Sequence, residues 1–165
     1  MNRTTLCRSL RVVIPAWSLI LALAAHALDV PAEPLDRFPR GILKIATTDA
    51  RVHTFNVWIA TTEQRREQGL MFVKSMPDDA GMLFVYSTPR PISMWMKNTV
   101  IPLDMVFIRA DGRVARVVHD AHPQSLKVIS SGENVLGVLE LNAGTAAKLN
   151  VVPGAIVSYT QATEH

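Results

Sequence analysis

From Gly41 onward the apolar residues come in short runs of strand period, cut by turn residues, and never spread into a long helical stripe. No other feature limits the fold as much. Ile42 to Thr47 and Val52 to Ile59 flank Asp49-Ala50, and period two puts Phe55, Val57 and Ile59 on one face. Pro77-Asp78-Asp79-Ala80-Gly81 marks a turn before a strand from Met82 to Tyr86. Pro89 and Pro91 bound the next strand, Ile92 to Lys97. Leu103 to Ile108 and Val114 to His119 are joined through Asp111-Gly112, a strong hairpin signal. Glu133 to Leu141 follows, and Val152-Pro153-Gly154-Ala155 suggests a type II turn before a last strand to about Thr160. Two short helices fit between the strands. Thr61-Thr62-Glu63-Gln64 matches a capping box with Thr61 as N-cap and Gly69 as terminator, and Asn142 can cap a short helix ended by Asn150. Strands never alternate with long amphipathic helices, which disfavours a doubly wound α/β fold. The expectation is a mainly β domain, a β-sandwich or partly open barrel of short strands with two short helices.

The N-terminus follows different rules. Arg3, Arg8 and Arg11 precede an apolar stretch from Val12 to Ala25, broken only by Pro15 and Ser18. The small-x-small sequence Ala25-His26-Ala27 closes it, so residues 1–27 are expected to be a secretory signal cut after Ala27. An apolar core of about 14 residues is short for a bilayer span, which needs roughly 20. The alternative is an uncleaved anchor. Residues 28–40 carry Pro31, Pro34 and Pro39 without hydrophobic period and read as an extended leader, leaving 41–161 as one mainly β domain.

Removing the signal changes the charge and the redox chemistry. The chain has 17 Lys plus Arg and 14 Asp plus Glu; without the three signal arginines the count is 14 (17 − 3) against 14. The domain is formally neutral, which argues against a nucleic-acid binder. The single cysteine, Cys7, lies in the signal, so the mature chain of 138 residues (165 − 27) would hold no disulfide and no thiolate. Its stability must come from an ordinary core, which that length can supply.

The densest informative stretches are Gln68-Gly-Leu-Met-Phe, Gly81-Met-Leu-Phe and Met94-Trp-Met-Lys-Asn-Thr, continuing as Val100-Ile-Pro-Leu-Asp. With Val138-Leu-Glu-Leu-Asn-Ala-Gly, they resemble the domain-of-unknown-function family 192, also called uncharacterised protein family 0127, over about Ile45 to Val157. The resemblance implies a small, mainly β domain of bacteria and archaea, often bearing an export signal. It assigns no biochemical role.

The residues themselves suggest a site. On the strand 92–97, Ile92, Met94 and Met96 share a core-like face, and Ser93, Trp95 and Lys97 take the other. Asp104 sits between Leu103 and Met105, and a hairpin across 98–103 could bring it to Lys97. Glu140 is a second lone carboxylate, between Leu139 and Leu141, and Asn98, Thr99 and Asn142 add neutral donors and acceptors. Trp95, Lys97, Asn98, Thr99, Asp104, Glu140 and Asn142 are therefore the candidate ligand-binding residues, with Trp95 as an apolar platform. The competing structural account pairs Lys97 with Asp104 to hold the hairpin and gives Glu140 to backbone amides.

Two other chemistries are open. Asp104 and Glu140 could divide general acid and base duties in a glycan hydrolase, given suitable separation. Met71, Met76, Met82, Met94, Met96 and Met105 supply thioethers that suit Cu(I), with His53, His119 or His122 as further ligands. There is no nucleophile elbow, phosphate loop or dinucleotide fingerprint. His119-Asp-Ala-His122 offers no third zinc ligand by spacing. No cofactor is assigned. The favoured expectation is an exported, periplasmic or secreted binding or accessory protein, with no membrane span after signal cleavage. Its partner would be a small polar ligand or an envelope component near residues 95–104.

Overall fold

The computed structural model describes residues 32–162. The expected signal 1–27, Cys7 and the first residues of the leader lie outside them.

The fold is a seven-stranded curled sheet, a half-barrel, so the partly open barrel is the form realised. The strands are β1 (Arg40–Ala46), β2 (Val52–Ala60), β3 (Ala80–Met94), β4 (Leu103–Ile108), β5 (Val114–Ala121), β6 (Ile129–Asn142) and β7 (Ile156–Gln161). Helix α1 (Glu63–Gln68) lies between β2 and β3, and α2 (Thr145–Lys148) between β6 and β7. The sheet order is β5-β4-β6-β3-β2-β1-β7, antiparallel throughout except for the parallel pair β2 and β3. A bridge between Arg113 and Ile156 draws the two sheet edges together, helped by the bond from Val114 N to the Ala155 carbonyl at 2.8 Å.

Period-two alternation divides the apolar residues into two cores. All seven strands feed an inner one: Leu43 and Ile45 of β1, Val57 and Ile59 of β2, Leu83, Val106, Val114, Leu139 and Val157. The opposite face of the central strands carries Trp58, Met82, Phe84, Leu103, Met105, Phe107 and Val138. This outer core is roofed by Phe38, Leu70, Met76 and Met96 from flanking segments. Strands covered on both faces lose the polar-apolar alternation. All six residues of β4 are buried, the carboxylate of Asp104 included.

Several local signals are realised. Asp111-Gly112 turns β4 into β5 with Gly112 at φ +81, and Gly154 at φ +96 makes the turn before β7. Helix α1 starts one residue later than its capping signal suggests: Thr62, not Thr61, is the N-cap, its hydroxyl accepting from Arg65 N. Helix α2 has Gly144, not Asn142, at its N-cap position.

One expectation changes. The strands around 82–86 and 92–97 are one continuous β3, shifted in register between Val85 and Arg90 and again between Pro91 and Ser93. The prolines sit at these irregularities, where a missing N–H leaves no gap in the ladder. The described part of the expected leader, residues 32–40, packs against the domain. Phe38 is 2% exposed, Glu33 takes two bonds from the Arg65 guanidinium at 3.0 Å, and its backbone exchanges bonds with the Gln68 amide.

Candidate functional site

The β4–β6 register decides how the carboxylates lie. Asp104 faces Leu141 and Met105 faces Glu140. Directly opposed residues of an antiparallel pair share a face, and neighbours along a strand alternate. Asp104 therefore points with Leu141 to the inner-core side, and Glu140 points with Met105 and Met82 to the outer-core side. A common acid–base duty across one substrate is not available to them.

The expected hairpin between Lys97 and Asp104 is absent too, because β6 is inserted between β3 and β4. Asp104 is fully buried and uses both oxygens: Oδ1 accepts from Asp120 N at 3.0 Å and Oδ2 from Ala146 N at 2.8 Å. His119 Nδ1 stands 3.9 Å from Oδ1. Asp104 thus anchors the end of β5 and the first turn of α2 to the sheet. Lys97 is exposed, with its ammonium 5.3 Å from the Trp95 ring centroid.

Glu140 is 4% exposed, and Oε2 is buried without a hydrogen-bond partner. The backbone amides expected to receive it do not. Flanked by Met82 and Met105, the carboxyl is pushed up to about 8 by desolvation, and at neutral pH it is mostly the neutral acid. Nearby, Tyr86 donates to Met94 Sδ at 4.0 Å, with the Arg66 and Arg90 guanidinium groups against its ring. Glu140 is a buried acid in a thioether-rich core.

The methionines gather as a soft cluster would, with Met76, Met82, Met96 and Met105 in the outer core and Met94 against it. Two of the three expected histidines do not join them. His53 pairs with Ile45 on the inner-core face, and His119 lies beside Asp104. Among the described residues, no three or more His, Cys, Asp or Glu are placed to hold a metal ion.

The remaining candidates act on loops. Asn142 Nδ2 donates to the Met76 carbonyl at 2.9 Å and to that of Pro77 at 3.3 Å, latching the 70–77 segment over the outer core. Replacing Asn142 by Ala is expected to cost about 1–2 kcal/mol. It should also speed proteolysis at 73–78, read by urea denaturation and limited digestion; an unchanged midpoint and digest would remove the latch. Asn98, at φ +56, accepts from Phe72 N at 2.9 Å through its carbonyl and donates its side-chain amide to Met71 Sδ at 3.9 Å. Thr99 is buried; its N–H donates to the Met96 carbonyl and its own carbonyl accepts from Gln124 N. Met96 N donates to the Ser125 carbonyl at 3.0 Å. Loops 70–73, 95–100 and 122–128 are thereby tied into one unit.

That unit displays apolar side chains that sequence reasoning, apart from Trp95, passed over. Phe72 is 61% exposed, Trp95 49%, Val100 40%, Leu126 67% and Val128 63%. Trp95 and Val128 are the residues next after the last β3–β6 partners, Met94 and Ile129. The available signal was Phe72-Val-Lys and Leu126-Lys-Val, large apolar residues beside lysines in segments without acids. Of the expected residues, the structure gathers Trp95, Lys97, Asn98 and Thr99, and disperses Asp104, Glu140 and Asn142.

The curled mainly β domain with this loop cluster at its rim defines a recognisable class of small protein. The chain belongs to the DUF192 family, Uncharacterized ACR, COG1430, matched over residues 44–159. A crystal structure from Sinorhizobium meliloti 1021, provisionally named a transcription regulator, is 43% identical at a TM-score of 0.73. It covers 74% of this chain and 95% of its own. A protein of unknown function from Novosphingobium aromaticivorans DSM 12444 is 33% identical, also at a TM-score of 0.73, with 82% of this chain and 96% of its own covered. No curated protein matches.

Proposed function

We propose that this protein is an exported, non-enzymatic binding or accessory module that engages a component of the cell envelope through loops 70–73, 95–100 and 122–128. The supporting observation is the display of large apolar side chains on loops tied by backbone hydrogen bonds at Phe72, Met96 and Gln124. An ordered apolar surface loses little entropy when covered, so its burial goes largely into affinity. A small polar ligand is the weaker partner, because Asp104 is occupied by backbone amides and Glu140 is sealed within the core. Export is supported by the Arg-bearing start, the apolar stretch 12–25 and Ala25-His26-Ala27. The regulator designation of the Sinorhizobium protein is not carried over, since beyond Arg11 the charges balance at 14 of each sign.

The test is co-sedimentation of the exported protein with envelope fragments. Trp95→Ser combined with Leu126→Ser is expected to keep the melting temperature and weaken sedimentation at least about tenfold, as the loss of two apolar anchors implies. Equal sedimentation of both forms would remove these loops as the binding face.

A further inference from the structure

Resting on that reading, we infer that the envelope component is the lipid surface itself: the loop unit docks peripherally on a bilayer bearing anionic headgroups. Segments 70–76, 92–101 and 122–130 contain Lys74, Lys97 and Lys127 and no Asp or Glu. All three lysines are exposed, and none makes an ion pair among the described residues. The other large exposed apolar residues are Ile42, Val52, Ile156 and Tyr159. Beside Val52 and Ile156 the cations are already neutralised, Arg51 by Asp49 and Arg113, bridged to Ile156, by Asp111, and Ile42 has a single unpaired lysine, Lys44, on its face of β1. The loop unit joins five exposed apolar side chains, Phe72, Trp95, Val100, Leu126 and Val128, to three lysines without ion pairs.

Its chemistry matches a lipid interface. An indole is amphipathic and sits at headgroup depth, while Phe and Leu reach the acyl boundary. Lysine stems lie along apolar surface and carry their ammonium groups outward, as Lys97 does over Trp95. Each lysine held near an anionic surface strengthens binding about fivefold, so three together give on the order of 100-fold. Among the described residues no helix is long and apolar enough to cross a membrane.

The experiment uses the processed protein recovered after export, mixed with vesicles of pure phosphatidylcholine or of phosphatidylcholine with phosphatidylglycerol, and separately with peptidoglycan sacculi. Trp58 is buried and Trp95 exposed, so a blue shift of emission on binding reports Trp95. Expected is a shift with anionic vesicles, lost in Trp95→Phe and weakened by salt as a screened interaction must be. Changing Lys74, Lys97 and Lys127 together to Gln should lower affinity about 100-fold without moving the melting temperature. Equal binding to neutral and anionic vesicles would overturn the proposal. Binding to sacculi but to neither vesicle would also overturn it while leaving the binding face intact. Silence towards vesicles, sacculi and whole envelope fragments alike would sink both the lipid assignment and the face.

Discussion

Between pH 4.5 and pH 8 the protein is expected to lose stability steadily relative to its Glu140→Gln variant. Glu140 titrates near 4.5 in an unfolded chain and near 8 in the fold, because desolvation penalises its charged form. Below 4.5 both states hold the proton, and burial carries no ionisation cost. Between the two values the unfolded chain releases a proton that the folded chain retains, so each pH unit favours unfolding by about 1.4 kcal/mol. By pH 7 the accumulated difference is on the order of 3 kcal/mol, and above pH 8 it levels off. Glutamine keeps the shape and cannot ionise, so the two forms should converge near pH 4.5 and diverge as pH rises. Urea unfolding at several pH values measures this directly. A gap independent of pH would mean that the carboxyl is hydrated and charged in the fold. Groups such as Glu33, held below its usual range chiefly by the Arg65 hydrogen bond, act in the opposite, acidic limb and cancel in the comparison.

Asp104→Ala is expected to cost about 4 kcal/mol, since two charge-assisted bonds worth about 1.5–3 kcal/mol each are lost and the Ala146 amide is stranded in a buried place. Asp104→Asn keeps one acceptor but turns an NH2 towards the other amide, so its loss should be smaller. Lys97→Met should change stability by no more than about 0.5 kcal/mol, as an exposed substitution away from any ion pair. The double-mutant cycle should give coupling near zero. Coupling above about 1 kcal/mol would instead reinstate the Lys97–Asp104 pair that the strand order separates.

The sequence exposed much of this fold because its strands obey period two wherever one side differs from the other. Gly41, Leu43 and Ile45 face inward while Ile42 and Lys44 stay outside. Ile92 and Met96 are buried, and Ser93, Trp95 and Lys97 are exposed, as the alternation implies. The same logic misjudged the strand limits at Pro89 and Pro91, because a proline ends pairing only where the ladder needs its N–H. For the candidate site it correctly flagged Asp104 and Glu140 as unusual. Two charges in apolar runs cannot both be surface residues, yet the alternation does not say what satisfies them. Asp104 meets amides 16 and 42 residues away in sequence, and Glu140 Oε2 meets none. The loop unit was harder still, since Phe72, Trp95 and Leu126 become one surface only through bonds between distant segments.

The amino-acid order alone determined which face of each strand a side chain occupies, and with it the mainly β class. That is a local property of a backbone whose side chains point alternately up and down. Only the tertiary structure decided which strands are neighbours. Inserting β6 between β3 and β4 broke the expected pair of Lys97 with Asp104, set Asp104 and Glu140 on opposite faces, and left Trp95 and Lys97 at the rim. Neighbour choice follows from closing a curled sheet around one shared core, and no short window of sequence contains the energy of that closure.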